Sequence, residues 1–372
     1  MKLKGIDDRW GQCSNKLFHL SVPPNLYGGI LTHISDSGLA EACDDGLGWT
    51  RVLIEKPFGS DSETAQNLDK LLGSLFKEKQ IFRIDHYLAK EVLQNIIAFR
   101  FSNAMFEPLW NSKFIDKVHI KLLEKNTVEG RGAFYDPIGA LKDTGQNHML
   151  MMLAIIAMDA PKTFSATDIR RERAAVLKKL VQATSKTIKK QVVRGQYAGY
   201  SSEPGVAHNT QTETYFRVES YINSARWKKV PFYLESGKAL AESKVEIDIY
   251  FKETAKKKTF GTSKDPQDEN RQNILTFRIQ PNEGIRVRFF VKTPGYNYTT
   301  EPKTLKFRYD DATFETLPND YERLIHDAFS GDQTLFASTD EIMASWKYIT
   351  SILNNLKSSP IKMYEKGAGY VG

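Results

Sequence analysis

The sequence predicts an α/β region followed by a larger α+β region with a mainly antiparallel sheet and packed helices, and three observations carry that prediction. Between residues 16 and 100, short apolar runs alternate with amphipathic segments of helical period, the pattern of a parallel sheet covered by helices. From about residue 101 the chain becomes β-rich, with strand-like segments joined by short turns, which favours antiparallel pairing. A dense polar heptapeptide, Arg83-Ile84-Asp85-His86-Tyr87-Leu88-Ala89, followed by Lys90 and Glu91, falls where a strand hands over to a helix. The expected division is residues 1–98 and residues 99–372.

Taken in order, residues 17–22, 51–54 and 81–84 read as strands of the first region. A long amphipathic helix is expected over 62–79, capped by Ser60 or Asp61 after the turn Lys56-Pro57-Phe58-Gly59. Leu88, Val92, Leu93 and Ile96 recur at helical spacing, so a helix follows the heptapeptide. In the second region strands are expected over 117–123, 212–218, 245–251, 274–279 and 285–291, with helices over 140–158, 166–180 and 342–353. The basic run 178–190 reads as a solvated helix face and Lys256-Lys257-Lys258 as a loop. The Gly-rich end, 366–372, reads as frayed.

Composition narrows the function. A chain of 372 residues with 41% hydrophobic content has ample material for a core. No run approaches the ~20 apolar residues of a membrane span, and Asp7, Asp8 and Arg9 interrupt any secretion signal, so a cytoplasmic protein is expected. Cys13 and Cys43 cannot build a disulfide framework and have no metal-ligand spacing with the seven histidines, so no metal is expected. The net charge of +7 is spread along the chain without interleaved aromatics, which argues against nucleic acid. An anionic small substrate explains the sign equally well.

The chemistry concentrates in a few places. A helix start at the heptapeptide offers free N–H groups and a positive dipole end, and His86, Tyr87 and Lys90 add donors suited to a phosphate. Asp85 is either their counter-ion or the orienting partner of a base. A second polar cluster, Asp143, Gln146, Asn147 and His148, interrupts an otherwise apolar helix. His148 reads either as a satisfied core side chain or as a general base that Asp85 orients. Lys56 ends a strand on the expected ligand edge, while Glu129 beside Gly130-Arg131-Gly132 and Lys238 after Gly237 are further charged groups next to glycines. Each of these also reads as a surface turn. Gly367-Ala368-Gly369-Tyr370-Val371-Gly372 spells G-x-G-x-x-G, but no strand is expected before it and no helix can follow, so it is rejected as a dinucleotide site. The chain carries no nucleophile elbow, P-loop or zinc signature. Glu55 and Asp85 would suit a glycosidase only at a suitable separation.

Together these pieces resemble the glucose-6-phosphate dehydrogenases. The matching stretches include Asn15-Lys16-Leu17-Phe18-His19-Leu20-Ser21-Val22-Pro23-Pro24, Ile54-Glu55-Lys56-Pro57-Phe58-Gly59, the heptapeptide with Lys90 and Glu91, Glu129-Gly130-Arg131-Gly132, Gly139-Ala140-Leu141-Lys142-Asp143 with Gln146-Asn147-His148, Gly237-Lys238 and Gln280-Pro281-Asn282-Glu283. They run in the family's order over about residues 15–355. The resemblance implies a partial Rossmann-like NADP-binding domain and a substrate-binding, oligomerising domain. It implies oxidation of β-D-glucose 6-phosphate at C1 to 6-phosphoglucono-δ-lactone, the entry step of the pentose phosphate pathway, with NADP reduced.

It also implies roles. His148 takes the C1 hydroxyl proton and Asp85 stabilises its imidazolium. His86, Tyr87 and Lys90 grip the phosphate, and Glu129 and Asp143 bind sugar hydroxyls. Lys238 is a further substrate contact, and Lys56 stands between substrate and coenzyme. Ser21, Pro23 and Pro57 belong with Lys56 to the coenzyme side. A homodimer or homotetramer is implied. Two departures are visible: Ala89 stands where the family usually has glycine, and the Gly-rich loop of the Gly-Ala-Ser-Gly-Asp-Leu-Ala kind is absent. The second predicts a truncated coenzyme domain, an exposed sheet edge and slow or no turnover. The alternative class is an inactive homologue that binds sugar phosphate or a partner subunit.

Overall fold

The computed structural model describes residues 3–41, 48–253, 272–309 and 318–371. In chain order the strands are β1 (Lys16–Leu20), β2 (Thr50–Ile54), β3 (Ile81–Ile84), β4 (Ile115–Leu123), β5 (Val192–Tyr197), β6 (Tyr215–Ser220), β7 (Phe232–Gly237), β8 (Lys244–Phe251), β9 (Ile274–Gln280), β10 (Gly284–Lys292), β11 (Thr300–Arg308), β12 (Phe336–Ala337) and β13 (Ile361–Tyr364). The helices are α1 (Lys4–Trp10), α2 (Tyr27–Asp36), α3 (Ser62–Leu75), α4 (Glu91–Phe101), α5 (Gly132–Tyr135), α6 (Leu150–Ala157), α7 (Ala166–Lys178), α8 (Ile188–Gln191), α9 (Asp320–Ser330) and α10 (Thr339–Leu353).

These divide into two compact units. The first comprises Met1–Lys90, Met158–Lys178 and Pro318–Thr350. Its sheet has the order β1-β2-β3-β12, parallel except for the β3–β12 pair. The Val52-Leu53-Ile54 run of β2 and all of β3 are buried, as strands of a parallel sheet covered by helices should be. Two later segments return to this unit for physical reasons. Phe336 pairs with Ile84, and the buried Arg173 donates to Glu341 at 2.6 Å and to the Phe336 carbonyl at 3.1 Å. The Trp346 indole N–H donates to the Phe58 carbonyl at 2.8 Å. The first unit is therefore discontinuous, and its leading segment ends at Lys90.

The second unit is built on a nine-stranded sheet of order β11-β10-β9-β8-β4-β7-β6-β5-β13. It is antiparallel except for the β4–β7 and β5–β13 pairs. A π-helical segment, Leu141–Met149, runs into α6, whose residues are all buried. The indoles of Trp110 and Trp227 donate to the Ile156 and Ala157 carbonyls at 2.7 and 2.8 Å and so satisfy the end of α6.

Several expectations are corrected. The helix expected over 62–79 ends at Leu75, because Phe76 turns extended and Gln80 instead donates to the Ala40 and Thr50 carbonyls. Residues 178–190 are not one helix: α7 stops at Lys178, and Leu180 is buried and bridged to Ile222. The chain end is not frayed, since Gly367 N–H donates to the Ala239 carbonyl at 2.7 Å and Val371 is buried. A strand, β13, does precede the G-x-G-x-x-G stretch, yet that bond and the Leu240–Ala368 bridge commit its backbone to packing. Cys13 is disulfide-bonded. Lys256-Lys257-Lys258 lies outside the described residues.

Candidate active site

Within the first unit, polar side chains gather at the carboxyl ends of the parallel strands, where open α/β sheets hold ligands. At the end of β3 the chain makes a 3-10 turn, His86–Ala89, and Asp85 caps it by accepting Tyr87 N–H at 3.1 Å. Asp85 is only 3% exposed. The His86 and Tyr87 rings lie 4.9 Å apart. Ala89 is buried inside this turn, where a helix-favouring residue is tolerated. The strand beneath is anchored by Arg83, which is buried and donates to Glu78 at 3.0 Å, Asp69 at 2.9 Å and Thr339 at 2.8 Å. Lys90 closes the turn and pairs with Asp320 at 2.6 Å.

The neighbouring strands supply the rest of that edge. After β2, Glu55 lies 3.2 Å from His19 Nε2 on β1, and its backbone carbonyl accepts the Tyr27 hydroxyl at 2.9 Å. Tyr321, on the first turn of α9, lies near Glu55, and partial burial together with that carboxylate pushes its phenol up to about 12. Lys56 and Pro57 follow, joined by a cis peptide bond. Gly59 then takes φ +83°, and a Cβ there would meet Ala65 N at 2.4 Å, so only glycine turns the chain into the Asp61-capped start of α3. Ser21 and Pro23 form the loop after β1. A cavity of about 1070 Å³ opens at the opposite, amino end of β2 and β3, and among its charged linings Arg83 is already paired with Asp69 and Glu78.

Within the second unit the site is the π-helical segment and the ends of β4 and β7. Gly139 enters the segment at φ +73°, with its Cβ position 2.6 Å from Glu213 Oε1. Glu213 accepts the Leu141 N–H at 3.0 Å, and burial holds its carboxyl above the usual range. The Thr144 hydroxyl donates to the Ala140 carbonyl at 3.0 Å and lies within hydrogen-bond distance, 2.9 Å, of the Ser236 hydroxyl. Gln146, Asn147 and His148 are buried, His148 being 2% exposed. Irregular π turns of this kind recur at functional sites.

The parallel pair β4–β7 brings Glu124 and Lys238 together beyond its carboxyl ends, with Lys238 Nζ 2.7 Å from Glu124 Oε2. Lys238 is 4% exposed, and its ammonium lies 5.6 Å from the centre of the Tyr135 ring, within cation–π range. Burial first, then the carboxylates of Asp143, Glu213 and Glu124 among others, holds the Tyr135 phenol well above its ordinary pKa, so it stays protonated. Lys238 and Glu124 thus meet beside Tyr135, whose phenol is also under the influence of the Asp143 carboxylate. Glu129 lies outside that group: it is exposed, at φ +50° in a turn. The sequence reading missed Glu124, Tyr135, Tyr321 and Asp320. The signal for Glu124 was available, a carboxylate directly after an apolar strand that ends Leu122-Leu123.

Comparison with known proteins is consistent across both units. Residues 2–95 match the family described as "Glucose-6-phosphate dehydrogenase, NAD binding domain", and residues 97–369 match "Glucose-6-phosphate dehydrogenase, C-terminal domain". The glucose-6-phosphate 1-dehydrogenase of Borreliella burgdorferi is 42% identical over 362 residues, 95% of this chain and 74% of that protein. That of Aggregatibacter actinomycetemcomitans is 41% identical over 381 residues, 100% of this chain and 75% of that protein. A solved structure of glucose-6-phosphate dehydrogenase in complex with its substrate glucose-6-phosphate superposes with a TM-score of 0.87 at 32% identity, covering 99% of this chain and 75% of that one.

Proposed function

This chain belongs to the glucose-6-phosphate dehydrogenase family of oxidoreductases, and from that premise we propose that it oxidises β-D-glucose 6-phosphate at C1 to 6-phosphoglucono-δ-lactone. The observation that carries the reading is the donor-rich turn after β3, where Asp85, His86, Tyr87 and Lys90 follow one another at the carboxyl end of a parallel strand. In this reading His86, Tyr87 and Lys90 bind the phosphate, a group that does not react and so can supply binding energy for positioning C1. Lys238, Asp143 and Glu124 bind the sugar hydroxyls; Glu124 takes the role expected of Glu129, because it shares Lys238 and Glu129 does not. His148 removes the C1 hydroxyl proton, and Asp85 stabilises its imidazolium.

NADP is the coenzyme of this reading, and it supplies the hydride acceptor when bound. Ser21, Pro23, Lys56 and Pro57 fit its coenzyme edge, since they follow two adjacent parallel strands and add an ammonium there. No helix among the described residues is long and apolar enough to cross a membrane. A cytoplasmic enzyme of the pentose phosphate pathway, assembled as a homodimer or homotetramer, completes the proposal. Calorimetric titration with glucose 6-phosphate tests the binding half. The wild type binds saturably, and Lys238→Ala weakens binding about tenfold or more, as loss of a buried charged hydrogen bond should. Unaltered affinity would remove Lys238 from the site.

A further inference from the structure

Lys90 Nζ lies 2.6 Å from Asp320 Oδ2, with the lysine side chain 11% exposed and the aspartate 27% exposed. Asp320 is the first residue of α9, whose N-cap Asn319 accepts Glu322 N–H at 2.9 Å. Helix α9 packs along the turn His86–Ala89. The Asp320 carboxylate is therefore held in two favourable fields, an ammonium and the positive end of a helix. An anion that needs Lys90 has to share it with this carboxylate or displace it.

We propose that Asp320 is a specificity-determining counter-ion of the phosphate subsite, a carboxylate that competes with incoming anions for Lys90. The inference rests on the assignment of Lys90 to phosphate made above. A monoanion such as a carboxylate brings no more charge than Asp320 already does. A phosphate monoester brings nearly two charges and three acceptor oxygens, enough to outcompete it. Asp320 thus lowers affinity for every anion and favours doubly charged esters, which can displace it from Lys90, while uncharged sugar is unaffected.

The test is calorimetric titration of the full chain and of Asp320→Asn, Asp320→Ser and Lys90→Ala, with glucose 6-phosphate and with glucose. Circular dichroism of each variant checks the fold. Asp320→Asn lowers the Kd for glucose 6-phosphate about three- to tenfold, the scale of one partly exposed ion pair, and leaves glucose unchanged. The gain shrinks as salt is added. Asp320→Ser, which keeps a good helix-start residue, gives the same result if the asparagine variant misfolds. Unchanged or weaker phosphate binding in the folded variants would overturn the proposal, because a carboxylate that competes for Lys90 tightens anion binding when it is removed. Lys90→Ala separates the two layers. If it leaves glucose 6-phosphate binding intact, the phosphate assignment and this inference both fail; if it weakens binding while Asp320→Asn does not tighten it, only the counter-ion role fails.

Discussion

His148 is buried in an irregular helical segment among neighbours that are themselves buried, a costly setting for an ionisable ring that packing alone does not call for. As the proposed base it makes a specific kinetic prediction. His148→Asn lowers kcat by about 10² to 10⁴, the range of a lost general base, and leaves the Kd for glucose 6-phosphate within about twofold in titration. The competing carboxylates separate as cleanly. Glu124→Gln raises KM for the sugar phosphate about tenfold by leaving Lys238 half-paired, whereas Glu129→Gln, at an exposed turn, changes neither KM nor kcat in steady-state assays. Residue types were legible in the sequence: the clustering of Asp85, His86, Tyr87 and Lys90 follows from their adjacency. Glu124 is legible as a carboxylate after an apolar strand, but its meeting with Lys238 arises from the parallel β4–β7 pairing of distant segments, and the approach of Tyr135 to the same ammonium has no local signature either.

Element boundaries follow local chemistry more closely than periodicity does. The strand over 81–84 and the start of the helix at Ser62 are legible in the sequence because an apolar run and an Asp61 cap mark them. The helix over 140–158 was read in place but not in kind, since periodicity cannot distinguish a π segment from an α-helix. Its entry depends on Gly139. Gly139→Ala costs about 1 kcal/mol or more in chemical denaturation, because a Cβ at φ +73° is strained and approaches Glu213. At the other end of the chain, α1 is tied to β1 by Asp7, which accepts from Lys16 at 2.6 Å and from the Ser14 hydroxyl at 2.6 Å. Those hydrogen bonds, Lys16 first, hold the Asp7 carboxyl at about 2 against an ordinary 3.8. A depressed carboxyl stabilises the fold above its ordinary pKa, and that contribution fades as pH falls toward 2. The Tm deficit of Asp7→Asn is therefore largest near neutral pH and closes on acidification, as thermal melts across that range would record.

Over the whole molecule, the alternation of strands and helices followed by a β-rich region fixed two sheets of different kinds, and the structure has both. What the sequence could not convey is that the first unit is closed by segments from later in the chain: the Arg173–Glu341 pair and the β3–β12 pairing are long-range contacts with no local signature. Assembly belongs to this scale too. The proposed homodimer or homotetramer predicts a sedimentation mass that is a multiple of the 42.3 kDa chain, and a monomer at all micromolar concentrations would refute it. Oxidation of glucose 6-phosphate through His148 is the proposal on which the other roles depend. It is tested most directly by near-ultraviolet absorbance of reduced nicotinamide when the protein is mixed with glucose 6-phosphate and NADP, with His148→Asn alongside. The expected result is a signal that saturates with sugar phosphate and is lost in the variant. Folded protein that binds glucose 6-phosphate but gives no signal, or a variant as active as the wild type, would contradict it.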